Sequence, residues 1–488
     1  MNATVLAIDA GTTGVRALLF NDQSELLGSA YREVLPSYPQ PGLVEHDPEQ
    51  IWRAVETVVA DALNRAGSAA VAALAAVGVA NQRATTVVWE RGSGRPVSPA
   101  IVWQDGRTAA RVNELLDHGI YTNTMASATK LEWILQHTPD GFTWADDGEL
   151  CFGTIDTWLV WKLSGGRAHV TDHSNASCTG LYDFALGGWD ASVLSALQIP
   201  ARMLPRIGYS SEEFARTKGT LLPAAVAIAG IAGDQQAAMF GELNTEPGSV
   251  KITYGTSAMA DIHVGDFPVL SQRGAYPLVL ASRAAGQRPY CLEGTAITAG
   301  AAVQWLRDGL GIIADLADSG PLAASVPDCA GVWAVPAFQG LGTPYMDPNA
   351  RAVIGGLSRG STRAHIVRAV LEGIAFRSRE VLETLLEDAA TPMPDVLRVD
   401  GGAAANDFLL QALANTLGIA VERPHVVQAT GLGAAYLAGL AVGVWKNVDE
   451  LRNRWRSGGR FEPSLSTDER EGRFQAWKKA IAAARLTM

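Results

Sequence analysis

The chain carries, at residues 4–34, the stretch TVLAIDAGTTGVRALLFNDQSELLGSAYREV, which decides the fold. Its apolar runs are separated by two turns, at residues 11–14 and 21–24, and the first run ends at Asp9. Short apolar runs bounded by Gly, Thr, Asn and Asp are typical of strands joined by tight turns. The stretch therefore predicts three strands in a meander and not the strand–helix–strand start of a dinucleotide fold.

A second stretch of the same kind, SVKITYGTSAMADIHV, spans residues 249–264 and again reads strand, glycine turn, strand. The two meanders indicate one design used twice. Because a single core stops growing beyond roughly 250–300 residues, the 488 residues predict two α/β domains. A turn cluster near residue 245 predicts the boundary, giving domains 1–244 and 245–488, with the ligand cleft expected between them.

Each predicted meander contains a turn suited to holding phosphate. Glycine lets the backbone N–H groups approach an anion, and a threonine hydroxyl adds a donor. Gly11-Thr12-Thr13 and Gly255-Thr256 are such turns, and Asp400-Gly401-Gly402 is a related one. A single Gly-Thr turn is more often only a connection between strands. The prediction of a phosphate site therefore depends on finding one such turn in each predicted domain. The sequence contains no P-loop motif and no dinucleotide fingerprint in a βαβ unit.

Two carboxylates follow predicted strands, Asp9 after the first and Asp234 after an apolar run at residues 225–231. Carboxylates at strand ends bind Mg²⁺ together with substrate phosphates, and one of them is able to accept a proton. This predicts phosphoryl transfer, which needs positioning, charge neutralisation and a base. The alternative for Asp234, as for any Asp after a strand, is that it only caps the following helix.

Composition excludes several classes. A formal net charge of −11 without a dense basic run argues against nucleic-acid binding. The four cysteines show no zinc or redox spacing, which favours free thiols in a reducing compartment. Asp9 interrupts the first apolar run, so no signal peptide is expected, and the longest apolar stretches are too short to span a membrane. We expect a soluble, cytoplasmic protein.

Several ordered motifs resemble the FGGY family of carbohydrate kinases, and within it the glycerol kinases, from residue 4 to about residue 480. Two stretches are similar to the family signatures, MASATKLEWIL at residues 125–135 and GLSRG at residues 356–360 with the helix that follows. The other matching stretches are Val44–Pro48, Asn81–Arg83, Phe152–Trp158, Gly233–Ala238 and Ala299–Asp308.

The resemblance implies two actin-like (ribonuclease-H-like) domains, ATP and Mg²⁺ as cofactors, and a polyol or sugar as substrate. Asp234 would be the general base, and Asp9 would help it hold Mg²⁺. The residues implied to contact ATP phosphates are Thr12, Thr13, Arg16, Gly255 and Thr256. Those implied to line the adenosine site are Gly300, Val303, Gln304, Gly402 and Asn406; for Gln304 and Asn406 a purely structural role is the alternative. Those implied to contact substrate are Arg83, Trp103, Asp234 and Gln235.

The sequence departs from the glycerol kinases at substrate positions. Ala84 stands where they carry Glu, Met125 where they carry Tyr, and Met259 where they carry Phe; Ala10 replaces a usual Gln. An anchoring carboxylate is lost and two rigid aromatic side chains become flexible thioethers. We hypothesise that glycerol is a poor substrate and that a larger polyol or ketose is preferred. The alternative is a glycerol kinase whose pocket is rebuilt by other residues.

Two further functions compete with a kinase. A non-catalytic sugar or nucleotide sensor on the same fold would have no need of Asp9, Asp234 and both Gly-Thr turns. An actin-like ATPase would not need Arg83 and Trp103. The family resemblance alone suggests a homodimer, and the sequence names no particular substrate.

Overall fold

The structure is a computed structural model that describes residues 3–219, 221–222, 225–284 and 286–485. Its internal contacts divide the chain into two units. The first unit comprises residues 1–243, 279–289 and 429–454, and the second comprises residues 244–278, 290–428 and 455–488. A single boundary near residue 245, dividing the chain into residues 1–244 and 245–488, remains a prediction. Two later segments fold with the first unit in this division.

The strands of the described residues are short to medium in length. They are β1 Thr4–Ala10, β2 Gly14–Asn21, β3 Leu26–Glu33, β4 Glu45–His46, β5 Leu74–Asn81, β6 Val87–Glu90, β7 Ala100–Ile101, β8 Leu150–Gly153, β9 Val170–Asp172, β10 Tyr182–Asp183, β11 Gly188–Trp189, β12 Arg206–Gly208, β13 Ser211–Arg216, β14 Ala227–Gly233, β15 Val250–Tyr254, β16 Ala258–Gly265, β17 Tyr276–Val279, β18 Tyr290–Ala296, β19 Trp333–Val335, β20 Val353–Gly355, β21 Val396–Asp400, β22 Ala420–Pro424 and β23 Ser457–Phe461.

The helices range from one turn to seven turns. They are α1 Pro48–Ala66, α2 Ser68–Ala72, α3 Ala109–Asp117, α4 Ala128–His137, α5 Gly141–Asp147, α6 Ile155–Ser164, α7 His173–Ser177, α8 Ala191–Ala196, α9 Asp234–Gly241, α10 Gly300–Asp308, α11 Ser319–Ala324, α12 Arg363–Asp388, α13 Asp407–Leu417, α14 Ala429–Ala441, α15 Val448–Arg452 and α16 Thr467–Arg485, with 3₁₀ turns at Ala201–Met203, Leu316–Asp318 and Gly402–Ala405.

The first unit is built on a six-stranded sheet in the order β13-β14-β5-β1-β2-β3. Strands β1, β2 and β3 form the predicted antiparallel meander, since β1 pairs with β2 and β2 with β3. Strand β5 then runs parallel to β1, and β14 runs parallel to β5. Helix α1 covers this sheet, and Asp47 caps it by accepting the N–H of Glu49.

The second unit repeats this order in a seven-stranded sheet, β17-β18-β16-β15-β21-β22-β23. Strands β15, β16 and β18 are antiparallel neighbours, and β21 and β22 continue the sheet in parallel from β15. A three-stranded meander followed by two parallel strands therefore occurs in both units. This confirms the prediction of a duplicated, actin-like (ribonuclease-H-like) α/β fold.

Helix α14 packs on the sheet of the first unit, although its residues come late in the chain. It is apolar on all sides, as expected for a helix with no exposed face. Close contact depends on glycines in the strands below it. A Cβ on Gly78 of β5 would lie 2.1 Å from the Ala434 carbonyl oxygen, and one on Gly230 of β14 would lie 2.8 Å from the same atom.

The same helix meets α9 at a glycine–glycine crossing. A Cβ on Gly433 would lie 1.8 Å from the backbone oxygen of Ala237, and one on Gly241 would lie 2.1 Å from that of Ala429. The two helix backbones are therefore as near as main-chain atoms allow. Helix α9 begins with Asp234, so this crossing fixes the element that carries the predicted base.

Within the described part of the chain, no helix combines the length and the apolar character needed to cross a bilayer.

Candidate active site

The first unit gathers its candidate residues at the carboxyl ends of three parallel strands. In this register Ala10 of β1 faces Asn81 of β5, and Asn81 faces Gly233 of β14. Asp9 is the last residue but one of β1, and Asp234 follows β14 directly. Open α/β sheets bind ligands at this edge. The topology thus brings the two predicted carboxylates to one edge of one sheet.

Asp234 lies against Arg83. The Arg83 Nε and the Asp234 Oδ1 are 3.0 Å apart, with side chains that are 14% and 31% exposed. The same Oδ1 accepts the N–H of Gln235 at 2.8 Å. The N-cap of α9 is Gly233, so Asp234 occupies the first helical position and not the cap. Three predicted residues, Arg83, Asp234 and Gln235, are therefore neighbours.

The first Gly-Thr turn is held from two sides. The Gly11 N–H donates to the Gly14 carbonyl at 3.0 Å, which closes the turn. The Gln82 side chain donates to the Gly11 carbonyl at 3.2 Å. The Trp103 indole N–H donates to the Thr12 hydroxyl at 3.0 Å. Trp103, predicted as a substrate contact, thus also fixes a residue predicted to contact phosphate.

His46 also contacts the first Gly-Thr turn, because its Nε2 lies 2.9 Å from the Thr12 carbonyl oxygen. Burial lowers the pKa of His46, and the hydrogen bond with Thr12 only partly opposes this. The imidazole is therefore neutral at pH 7, and its Nε2–H donates to the carbonyl. A neutral donor adds no charge beside the predicted phosphate turn.

Arg16 is the direct cross-strand partner of Asp9 in the β1–β2 ladder. Its guanidinium lies over the ring of Tyr31, 5.3 Å from the centroid. The Tyr31 hydroxyl donates to the Thr13 carbonyl at 3.3 Å. The predicted phosphate ligands Thr13 and Arg16 are thus joined through one tyrosine.

Ala84 has an unusual backbone conformation, with φ of +59°. This left-handed region costs an alanine about 1 kcal/mol or more. The conformation is held by hydrogen bonds to the Ala84 carbonyl, from the Ser127 hydroxyl at 2.9 Å and from the Thr86 hydroxyl at 3.3 Å. Met125 lies two residues before Ser127 and is half-buried. The Ala84 and Met125 segments are therefore linked through the start of α4.

A buried polar network lies beneath the strand ends. Asp172 caps α7 by accepting the N–H groups of Ser174 and Asn175 at 3.1 and 2.9 Å. The Ser174 hydroxyl accepts the Gly233 N–H at 2.9 Å, and the Asn175 side-chain oxygen accepts the Asn81 amide at 3.0 Å. Helix α7 thus ties the ends of β14 and β5 together. It fixes the residue that immediately precedes Asp234.

Asp156 belongs to the same buried layer and is fully enclosed. It accepts hydrogen bonds from the hydroxyls of Thr154 and Thr171, the latter at 2.6 Å. Burial raises the pKa of Asp156 to about 7, and the Asp172 carboxylate adds to this, while the two threonines oppose it. The carboxyl group is therefore only partly ionised at neutral pH.

The second unit carries the other Gly-Thr turn, between β15 and β16. The Gly300 N–H donates to the Gly255 carbonyl at 3.0 Å, and the Ala299 and Ala301 N–H groups donate to the Thr256 carbonyl at 2.9 and 3.1 Å. A Cβ on Gly300 would lie 2.4 Å from the Gly255 oxygen. Gly300 is therefore needed for packing against the turn, whatever it binds.

The predicted adenosine residues have different surroundings. On α10, Val303 is buried and Gln304 is exposed. Gly402 is exposed, and a Cβ there would meet no atom within 4 Å. The Asn406 side chain caps α13 by accepting the Leu409 N–H at 3.2 Å, and its amide donates to the Ser319 hydroxyl at 3.0 Å. Asn406 thus caps a helix, and its place in the adenosine site stays a prediction.

Met259 lies on β16 of the second unit, whereas Ala84 and Met125 belong to the first unit. Its sulfur accepts a hydrogen bond from the Thr295 hydroxyl on β18 at 3.3 Å. The thioether is thus turned toward its own sheet.

The carboxylates of the first unit suit a magnesium ion bound with a nucleotide. No cluster of three or more His, Cys, Asp or Glu side chains occurs among the described residues. Mg²⁺ usually takes only one or two carboxylates, with waters and substrate phosphates completing its six ligands. Asp9 and Asp234, at one sheet edge, supply that number of carboxylates and no more.

The sequence analysis did not identify the buried polar residues that hydrogen-bond to the segments carrying the candidate site residues. Asp172, Ser174 and Asn175 are fully buried polar residues, and Lys130 of α4 is another. Asp172, Ser174 and Asn175 lie in a mostly polar segment, so no local signal marked them as buried. Lys130 lies beside apolar residues of α4, and a buried polar group there requires a partner.

Known proteins resemble this chain over its whole length. Residues 4–241 match the N-terminal domain, and residues 250–442 the C-terminal domain, of the FGGY family of carbohydrate kinases. A protein of Bordetella parapertussis named glycerol kinase is 48% identical over 493 residues, covering 98% of this chain and 97% of that protein.

Solved structures give the same result. The crystal structure of Plasmodium falciparum glycerol kinase with ADP superposes with a TM-score of 0.92 at 31% identity, covering 100% of this chain and 99% of that one. The crystal structure of xylulose kinase from Rhodospirillum rubrum gives a TM-score of 0.84 at 23% identity, covering 98% of both chains, and shows the shared fold.

Proposed function

Because the chain belongs to the FGGY family of carbohydrate kinases, which phosphorylate a hydroxyl of a small polyol or sugar with ATP, we propose that Asp234 is its general base. The observation that carries this proposal is the place of Asp234, at the strand-end edge of the first sheet and 3.0 Å from Arg83. A base at this edge lies where an open α/β sheet presents its ligands.

Asp234 accepts the proton of the acceptor hydroxyl while the hydroxyl oxygen forms a bond to the γ-phosphorus of ATP and the bond to ADP breaks. Arg83 holds the carboxylate in one orientation, with its Nε 3.0 Å from the Asp234 Oδ1. Gln235 and Trp103 orient the acceptor. This chemistry needs little from the protein beyond positioning and charge neutralisation.

The phosphates of ATP are assigned to the two Gly-Thr turns and to Arg16. The assigned residues are Thr12, Thr13 and Arg16 of the first unit and Gly255 and Thr256 of the second unit. Gly300, Val303, Gln304, Gly402 and Asn406 are assigned to adenosine. Gly402 has the best support, since its exposed backbone leaves room for a ligand. Asp9 and Asp234 would hold Mg²⁺, which neutralises phosphate charge when it is bound.

Glycerol is the first acceptor to consider, because the relatives that match nearly the whole chain are named glycerol kinase. A longer polyol or a ketose is the second candidate. It is favoured by Ala84, Met125 and Met259, which remove a carboxylate and two rigid rings from substrate positions. The small, strained Ala84 next to Arg83 is the structural observation behind this second candidate.

Coupled ADP release with Mg-ATP tests both candidates. The panel comprises glycerol, erythritol, xylitol, ribitol, ribulose, xylulose and a blank without acceptor. Turnover of glycerol with a far higher kcat/KM than any other acceptor supports the first candidate, and the reverse supports the second. ATP binding by calorimetry without turnover of any acceptor would contradict a kinase and favour a non-catalytic sensor.

A further inference from the structure

Lys130 is a buried lysine without a role in the proposed chemistry. It is the third residue of α4, and its side chain has 0% exposure. Removing an amine from water is costly unless it finds hydrogen-bond partners. The burial of Lys130 is therefore expected to depend on specific hydrogen-bond partners, whereas the burial of an apolar residue would not.

The partners of Lys130 belong to the predicted acceptor site. Its Nζ donates to the backbone oxygen of Trp103 at 3.0 Å and to that of Met125 at 3.1 Å. These two residues are 22 positions apart in the chain and lie in different loops. One side chain thus joins two loops that no strand pairing connects in the described structure.

The first turn of α4 holds a third loop in the same way. Ser127, the N-cap residue of α4, donates its hydroxyl to the Ala84 carbonyl at 2.9 Å. The backbones of Ala84, Trp103 and Met125 are therefore all bound to side chains at one helix start. All three residues are predicted to contact the acceptor.

We infer that Lys130 is a positioning residue of the acceptor site, which sets the affinity for the acceptor by tying the Trp103 loop to the Met125 loop. This inference rests on the proposed assignment of those two loops to the acceptor. Lys130 itself does not contact the acceptor or the reacting atoms.

The charged groups that act on Lys130 come from the Trp103 loop. Asp105 lies there with Arg107, which donates to both Asp105 oxygens at 2.8 Å and to Glu45 at 2.7 Å. Burial lowers the pKa of Lys130 to about 7; Asp105 opposes this and Arg107 adds to it. The neutral amine has two N–H groups, which matches its two carbonyl partners.

Two substitutions of Lys130 distinguish the effect of its hydrogen bonds from the effects of its size and its charge. Lys130→Met keeps the length of the side chain and removes both donors. Lys130→Gln restores one nitrogen with two N–H groups and no charge. The matched control is Lys162→Met on α6, where Lys162 is partly buried and pairs with Glu49, away from the Trp103 and Met125 loops.

Initial rates should show a rise of at least tenfold in the KM for the preferred acceptor in Lys130→Met. The KM for ATP and the kcat should change less than threefold. Lys130→Gln should recover most of the loss, and Lys162→Met should match the wild type. An unchanged acceptor KM in Lys130→Met, with or without a lower melting temperature, would overturn the inference.

Hydrogen exchange tests the tie without relying on turnover. In Lys130→Met, amides in residues 101–108 and 120–127 should exchange at least tenfold faster, while those of α12 keep the wild-type rate. Unchanged exchange in both loops would overturn the inference even if kinetics change. If the wild type phosphorylates no acceptor but the exchange result holds, the tie stands and the assignment of the loops to an acceptor fails.

Discussion

The guanidinium of Arg83 and the carboxylate of Asp234 form an ion pair, with Nε and Oδ1 3.0 Å apart, at the carboxyl edge of the first sheet. Arg83 follows β5 and Asp234 follows β14, so two neighbouring parallel strands place them together. The pair fixes one oxygen of the carboxylate. It is the reference point for the predictions about the acceptor site.

Asp234→Asn should lower kcat by at least 100-fold, because an amide accepts no proton from the acceptor hydroxyl. The dissociation constant for ATP in the absence of Mg²⁺ should change little. Steady-state rates with the preferred acceptor and calorimetry with ATP measure these two quantities. Asp61→Asn, at an exposed position of α1, is the matched control and should retain wild-type activity. A kcat within tenfold of the wild type for Asp234→Asn would show that another group is the base.

Ala84→Glu should lower the KM for glycerol about tenfold, because a carboxylate beside Arg83 accepts charge-assisted hydrogen bonds from acceptor hydroxyls. Ala84→Gln has nearly the same volume without the charge and should give a smaller effect. Parallel KM measurements with glycerol and xylitol test this. A rise in the KM for glycerol in both variants would mean that bulk at residue 84 blocks the pocket.

Asp156→Asn should change how stability depends on pH. The folded-state pKa of about 7 lies above the ordinary value near 3.8. The stability that this group contributes is therefore fully present below pH 3.8 and is lost as the pH rises from 3.8 through 7. The asparagine variant does not titrate. Its stability relative to the wild type should therefore rise by about 2 kcal/mol between pH 5 and pH 7.

Urea unfolding at pH 5, 6, 7 and 8 measures this difference, with Asp61→Asn as the control that should follow the wild type. A constant difference between Asp156→Asn and the wild type at all four pH values would contradict a raised pKa for Asp156.

Gly433→Ala should destabilise the first unit by about 3 kcal/mol or more, because the added Cβ would lie 1.8 Å from the Ala237 oxygen of α9. The shift of α9 should also lower kcat through Asp234. Gly472→Ala, on an exposed face of α16 where a Cβ meets no atom within 4 Å, should be stabilising by up to about 1 kcal/mol. Equal melting temperatures for the two variants would contradict the tight helix crossing.

The sequence was sufficient to predict the two meanders, because each contains a turn of Gly and Thr between short apolar runs. It also placed Asp9 and Asp234 at strand ends, where the structure has them. The pairing of Asp234 with Arg83 could not be read from spacing. It depends on β5 and β14 being neighbours, and 145 residues separate the end of one from the start of the other.

Other features depend on contacts between distant parts of the chain. Helix α14 has an apolar pattern that fits any buried helix, so its own sequence does not predict where it packs. The close contact with the first sheet depends on the glycines of β5 and β14. The burial of Lys130 depends on two loops whose paths have no local sequence signal. The helix cap that Asn406 makes is a local feature, since its side chain accepts the N–H of Leu409 three residues later.

The late position of α14 has a consequence during protein synthesis. The last residue of α9 is Gly241 and the last residue of α14 is Ala441, so the ribosome must add 200 residues between them. At about 5–20 residues per second this takes about 10–40 s. During that interval the nascent sheet lacks its apolar cover and helix α9 lacks its partner. Newly made chains therefore stay exposed to chaperones and proteases, and the helix that carries Asp234 gains its packing partner only after α14 has been made.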